Sequence, residues 1–114
     1  YDPELILMDE PFGPLDAQTR IVLQDQLLKL WYASKKTIVF ITHDLIEAIT
    51  LADRVVLMSA RPGRIKSIEQ IAIPRPRDVF KIHEDAQFRS SYERLWQQLR
   101  PEVTLSESAK GELI

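Results

Sequence analysis

The sequence predicts an α/β fold. Three observations carry that prediction: three short apolar runs with β-branched residues, a helical pattern in each interval between them, and a Pro-Gly turn signal after the third run. Strand, helix, strand, helix, strand is the order that gives parallel pairing through crossover connections.

The first run is Leu5-Ile6-Leu7-Met8. A continuous apolar run bounded by turn residues suits a strand buried on both faces. Ile38 to Ile41 and Val55 to Met58 are runs of the same type, and their β-branched residues favour strand over helix. Between the first two runs, Leu23, Leu27, Leu30 and Trp31 fall at i, i+4, i+7 and i+8, one face of a helix. Asp16 stands at the N-cap position of that helix. Between the second and third runs, Leu45, Ile46, Ala48, Ile49 and Ala52 form a shorter amphipathic stretch. Asp44, with Glu47 three residues on, reads as a variant capping box at its start.

After the third run, Arg61-Pro62-Gly63-Arg64 has Pro and Gly at the two central positions of a type II turn. Ile65, Ile68, Ile71 and Ile73 follow as a short antiparallel strand. Pro74-Arg75-Pro76-Arg77 breaks the pattern and reads as a solvated linker. Phe88, Tyr92, Leu95, Trp96 and Leu99 mark a further helix by its packing face, and from Pro101 the polar chain is expected to fray.

With 114 residues, the chain is one domain or a piece of one. A net charge of -2 gives no basic field to attract nucleic acid. The absence of cysteine excludes disulfides and thiolate metal sites. No apolar run approaches the roughly 18 residues of a membrane helix.

Chemistry concentrates where the first strand ends. Leu5 to Met8 runs straight into Asp9-Glu10-Pro11, two adjacent carboxylates at the carboxyl end of a strand. That is where open α/β sheets bind their ligands. Neighbouring side chains on a strand point to opposite faces, so the two carboxylates are free to take different tasks. Gly13-Pro14-Leu15-Asp16 follows, and Ile41-Thr42-His43-Asp44 closes the second strand, with His43 33 residues after Glu10.

Read together, these three segments resemble the Walker B motif, the D-loop and the switch-histidine segment of ABC ATPases, in that family's order. The resemblance covers residues 1–73 well. Glu10 to Gly13, and Ala52-Asp53-Arg54 with Arg61 to Ile65, are most similar to importer ATPases of the nitrate, sulfonate and taurine group. Pro14 stands where many relatives carry Ala or Ser.

The implied fold is a partial P-loop NTPase domain: α/β with parallel strands, then a short C-terminal β-hairpin and helix. Residues 1–73 would be the C-terminal part of the ATPase core, 74–100 a linker and helix, and 101–114 a flexible tail. The resemblance implies ATP and Mg²⁺ as cofactors. Asp9 would hold Mg²⁺ through water, Glu10 would act as general base on the attacking water, and His43 would donate a hydrogen bond to the γ-phosphate. Asp16 would act across a dimer interface. The implied partners are a second ATPase subunit, a membrane permease and, indirectly, a solute-binding protein, with no nucleic acid. The implied location is peripheral, on the cytoplasmic face of the membrane.

Three parts of the family pattern are missing from these 114 residues. None of Gly13, Gly63 and Gly111 belongs to a G-x-x-x-x-G-K-[ST] loop, which cradles phosphates with backbone N–H groups. The serine-glycine-glycine signature and the glutamine loop are also absent. The chain alone is therefore expected to be inactive in ATP hydrolysis, with a sheet edge unpaired and an apolar face uncovered. Two other readings stay open: an ABC-type ATPase of translation or DNA metabolism, and a non-catalytic half-domain that pairs with a complete ATPase. Arg75, Arg77 and His83 are expected to be surface residues.

Overall fold

The computed structural model describes residues 4–59 and 63–113, with residues 102–113 described by their backbone alone. The elements are β1 (Leu5–Asp9), α1 (Ala17–Ser34), β2 (Thr37–Ile41), α2 (Leu45–Leu51), β3 (Arg54–Met58), β4 (Ile65–Gln70), a 3-10 turn (Ile82–Glu84) and α3 (Ala86–Leu113). Every strand and helix expected up to Gln70 is present, and the class is α/β.

β1 and β2 pair in parallel, with Leu5 opposite Thr37 and Asp9 opposite Ile41. The third apolar run does not extend this ladder. β3 pairs antiparallel with β4, Val56 opposite Ile68, so the described strands form two two-stranded sheets. The expected pairing of three parallel strands is corrected here. β4 follows β3 after a few residues, and closing so short a loop costs little entropy. The Ser59 N–H donates to the Arg64 carbonyl at 2.7 Å and closes the hairpin on its described flank. The turn expected at Arg61 to Arg64 falls largely outside the described residues.

Burial on both strand faces is also corrected. Leu5, Leu7, Val39 and Ile41 share one exposed face of the parallel pair, while Ile6, Met8, Ile38 and Phe40 on the other are half-buried. In the hairpin, Val55 and Leu57 are buried, whereas Val56, Met58, Ile65 and Ile68 are exposed together. The apolar composition that a strand needs on two covered faces is present, but one face of each sheet lacks its cover.

The main core cluster is built from α2 onward. Ile49, Val55, Ile71, Ile73, Ile82, Phe88 and Leu95 form one cluster, with Leu45, Ala48, Ala52 and Tyr92 packed against it. The α3 stripe is therefore a packing face, although Trp96 stays partly exposed. α3 continues to Leu113 with Pro101 inside it, where the sequence reads as frayed from Pro101. A proline removes one helical hydrogen bond and need only kink the helix it interrupts.

The 74–77 stretch is not a solvated linker. Arg77 is 6% exposed. Its guanidinium donates to the carbonyls of Ile73, Ile49, Thr50 and Ala52, at 2.7 Å for the last. Three of these oxygens belong to the C-terminal end of α2, where carbonyls lack helical partners and a cation offsets the negative pole of the helix. Burial, then the neighbouring Arg75 charge, pushes the Arg77 pKa down to about 10. Arg75 donates to Asp53 and to the Leu51 carbonyl and lies 4.5 Å above the Trp31 ring. The backbone N–H of Arg77 donates to the Tyr32 hydroxyl at 2.8 Å. The two arginines thus lock the linker onto α1 and α2. His83 is exposed, as expected.

Candidate functional site

Two loops meet at the carboxyl end of the parallel pair. One leaves β1 through Glu10 and reaches α1; the other leaves β2 through Thr42 and His43 and reaches α2. Their first residues are tied by the ladder itself, because the Glu10 N–H donates to the Ile41 carbonyl at 2.8 Å. The first loop then folds back on itself, with the Gly13 N–H donating to the Glu10 carbonyl and the Leu15 N–H to that of Phe12. Phe12 is buried and packs its ring 5.7 Å from that of Phe40, which anchors the loop on β2.

Both helices begin with the predicted caps. The Asp16 carboxylate accepts the Thr19 N–H at 2.8 Å. This hydrogen bond holds its carboxyl below the usual value of 3.8. Asp44 Oδ1 accepts the N–H groups of Ile46 and Glu47, and its own N–H donates to Thr42 Oγ1. Only half of the expected capping box forms at α2. Glu47 does not reach back to Asp44; it is buried and accepts from Gln24 Nε2 at 3.0 Å.

A groove of about 220 Å³ opens between the loops, lined by Glu10, Gly13, Thr42, His43, Asp44 and Glu47. At its mouth His43 Nε2 and Glu10 Oε1 are 2.7 Å apart, with the His43 side chain 92% and the Glu10 side chain 40% exposed. Glu10 has φ = 47°, in the left-handed region, which non-glycine residues enter at a cost and mostly at functional or tightly constrained positions. A residue in that conformation re-aims its side chain relative to the strand that precedes it. Glu10 accordingly turns toward His43 and lines the groove, while Asp9 stays exposed in the ladder and does not line it.

The structure brings Glu10 and His43 together, leaves Asp9 one residue away on the strand, and leaves Asp16 outside the groove at the start of α1. Among the described residues no group of three or more His, Cys, Asp or Glu side chains could hold a metal ion. Mg²⁺ normally takes only one or two carboxylates and completes its shell with water and substrate phosphates. An exposed carboxylate such as Asp9 therefore fits Mg²⁺ that arrives with a nucleotide, and does not make a site for the ion alone.

Sequence reasoning missed Arg20, Gln24 and the burial of Glu47. Arg20 donates from Nη1 to Asp44 Oδ2 at 3.2 Å and from Nη2 to the Gly13 and Leu15 carbonyls at 3.3 and 3.1 Å. The inward face of α1 runs through Arg20, Gln24 and Leu28, the last two buried, whereas Leu30 is 69% exposed. The spacing of four that links Asp16, Arg20, Gln24 and Leu28 was the available signal. Its polar members hid it from a search for apolar stripes.

Comparison with known proteins gives the geometry a family. The chain is 59% identical over 81 residues to an uncharacterized ABC transporter ATP-binding protein of Methanocaldococcus jannaschii, a match covering 71% of this chain and 30% of that protein. This chain belongs with the ABC transporter ATP-binding proteins. It is 51% identical over 76 residues to an aliphatic sulfonates import ATP-binding protein of Bacillus cereus, covering 67% of this chain and 30% of the relative. It is 49% identical over 87 residues to a bicarbonate transport ATP-binding protein of Synechococcus elongatus, covering 75% and 31%. The importer-like resemblance read from residues 10–13 and 52–65 thus holds. The chain spans about a third of the length of these curated ABC relatives. No protein-family model matches the chain. Among the described residues no helix is long and apolar enough to cross a membrane.

Proposed function

We infer that this chain is the C-terminal part of the ATP-hydrolysing subunit of an ABC importer, with Glu10 and His43 at the γ-phosphate end of the nucleotide site. The observation that supports this most directly is the Glu10–His43 pair. A carboxylate forced into a left-handed backbone conformation at a strand end meets, at 2.7 Å, the imidazole at the neighbouring strand end.

The roles follow from the atoms present. In the pair, His43 Nε2 lies 2.7 Å from Glu10 Oε1. A nucleotide entering the groove offers His43 a phosphate oxygen to donate to, and this releases the Glu10 carboxylate to accept a proton from water. The two groups are then a base and a hydrogen-bond donor held on rigid strand ends, which is most of what phosphoryl transfer asks of a protein. Asp9 is the carboxylate that would hold Mg²⁺. When bound, that ion supplies positive charge to the phosphate oxygens. Asp16, exposed and ionised at the start of α1, would face a second ATPase subunit. The described residues supply no glycine-rich phosphate cradle, so the chain by itself would not turn over ATP.

The proposed partners are a second ATPase subunit and a membrane permease, with a solute-binding protein acting through that permease. The proposed location is peripheral, at the cytoplasmic face. The solute class would be small oxyanions of the nitrate, sulfonate and taurine type, which contact the permease and the binding protein and not this chain.

The test is steady-state ATP hydrolysis by a full-length protein containing this chain. Glu10→Gln is expected to lower kcat by about 100-fold or more while ATP binding persists. An unchanged rate would remove Glu10 from the reaction. The isolated 114-residue chain is expected to show no multiple turnover.

A further inference from the structure

The Glu10–His43 pair cannot hold its own geometry. A side-chain contact this exposed contributes on the order of 0–1 kcal/mol at most. The positions of both groups must therefore be set by the loops that carry them. Among the described residues, Arg20 in the first turn of α1 adds a second side-chain link between those loops.

Arg20 binds the first loop through the carbonyls of Gly13 and Leu15, and the second through the carboxylate of Asp44. Asp44 is the residue after His43 and caps α2 with its other oxygen. The planar fork of a guanidinium is suited to such divergent acceptors, and it stays charged at all relevant pH. The Arg20 side chain is 27% exposed, and its Nε is buried against the joint. The two loops are thus joined twice. Glu10–His43 is the joint that must open for the proposed reaction. Arg20–Asp44 is the joint that remains closed.

We propose that Arg20 is a positioning residue: by clamping the 13–15 segment to Asp44 it sets the separation of Glu10 and His43, and it keeps the two loops in register when that pair separates. The inference rests on the proposed roles of Glu10 and His43, but its test uses no nucleotide. A negative result therefore leaves the ATPase reading standing, and a failed ATPase assay leaves this coupling measurable.

The experiment is NMR of the 114-residue chain, reading the imidazole Nε2 resonance of His43 in a double-mutant cycle. Glu10→Gln is expected to displace that resonance in the unsubstituted chain. In an Arg20→Gln background the same change is expected to displace it by less than half as much, because the loops no longer hold the pair together. The Trp31 indole resonance, whose N–H donates to the Lys36 carbonyl at the far end of α1, reports whether the fold is intact and should not move. Should Arg20→Gln fail to fold, Asp44→Asn takes its place. It keeps an oxygen for the α2 cap, removes only the charge facing Arg20, and is expected to weaken the coupling in the same way. An undiminished Glu10 effect on His43 in a folded Arg20→Gln or Asp44→Asn chain overturns the proposal.

Discussion

Of the four acidic and basic groups read from the sequence as functional, Asp16 has a local structural task as well, and pH isolates that task. Its carboxyl lies below the usual 3.8 because the ionised form accepts the Thr19 N–H. A carboxylate with a depressed folded-state pKa adds stability that is present above 3.8 and lost as pH falls through the lower folded value. Asp16→Ala is accordingly expected to lower the melting temperature at pH 7, and the difference from the unsubstituted chain should shrink toward zero in a series taken below pH 3.8. A difference that persists in acid would mean that Asp16 acts through something other than its cap. At Glu10 and His43 the expected balance is reversed. Their pair is too exposed to stabilise the fold, so Glu10→Gln should leave the melting temperature nearly unchanged while abolishing turnover in the full-length protein.

At the scale of elements, the helix starts are the most secure part of the structure and the linker the least expected. Arg77 satisfies carbonyls at the end of α2 and is buried in doing so. Arg77→Leu removes all of these donors and leaves the oxygens in a place water reaches poorly. The expected cost is about 3 kcal/mol or more, measured as a lower urea midpoint at constant slope. Nothing in Pro74-Arg75-Pro76-Arg77 announces this, because the acceptors come from α2, some 25 residues away, and only tertiary structure supplies them. Asp16 and Asp44 were legible because a cap is a local interaction between residues two or three apart. The strand positions were legible from their apolar runs, but the pairing of β3 was not, since a run of apolar residues does not name its neighbour. The carboxylates and the histidine were legible through their order along the chain. Arg20 was not, because its partners lie five to 24 residues away.

Over the whole molecule, packing is uneven. The main cluster of buried side chains draws on α2, β3, the 71–82 segment and α3, and takes nothing from β1, α1 or β2. The candidate site therefore sits where the less buried half meets the better packed one. Native-state hydrogen exchange should show this as slow exchange for amides of Val55, Leu57 and Leu95 and faster exchange for those of Leu7 and Val39 in the ladder. Comparable protection in both halves would contradict it. The exposed apolar face of the parallel pair carries a second consequence. The 114-residue chain is expected to self-associate as its concentration rises, and Leu7→Lys with Val39→Lys should suppress this in light scattering without unfolding the chain.

The backbone at Glu10 leads to a different kind of expectation. Two non-glycine residues among those described take a positive φ, Glu10 at 47° and Lys35 at 55°. Left-handed conformations cost an L-residue about 1–2 kcal/mol relative to glycine. Random mutagenesis followed by selection for heat resistance should therefore enrich glycine at both positions. At Lys35, the C-cap of α1, that gain is offset only by the loss of the ammonium's contacts over the Trp31 and Tyr32 rings. At Glu10 it would be bought with the proposed reaction, so variants recovered for endurance alone would drift toward silence at one codon, and those recovered for transport would hold it fixed.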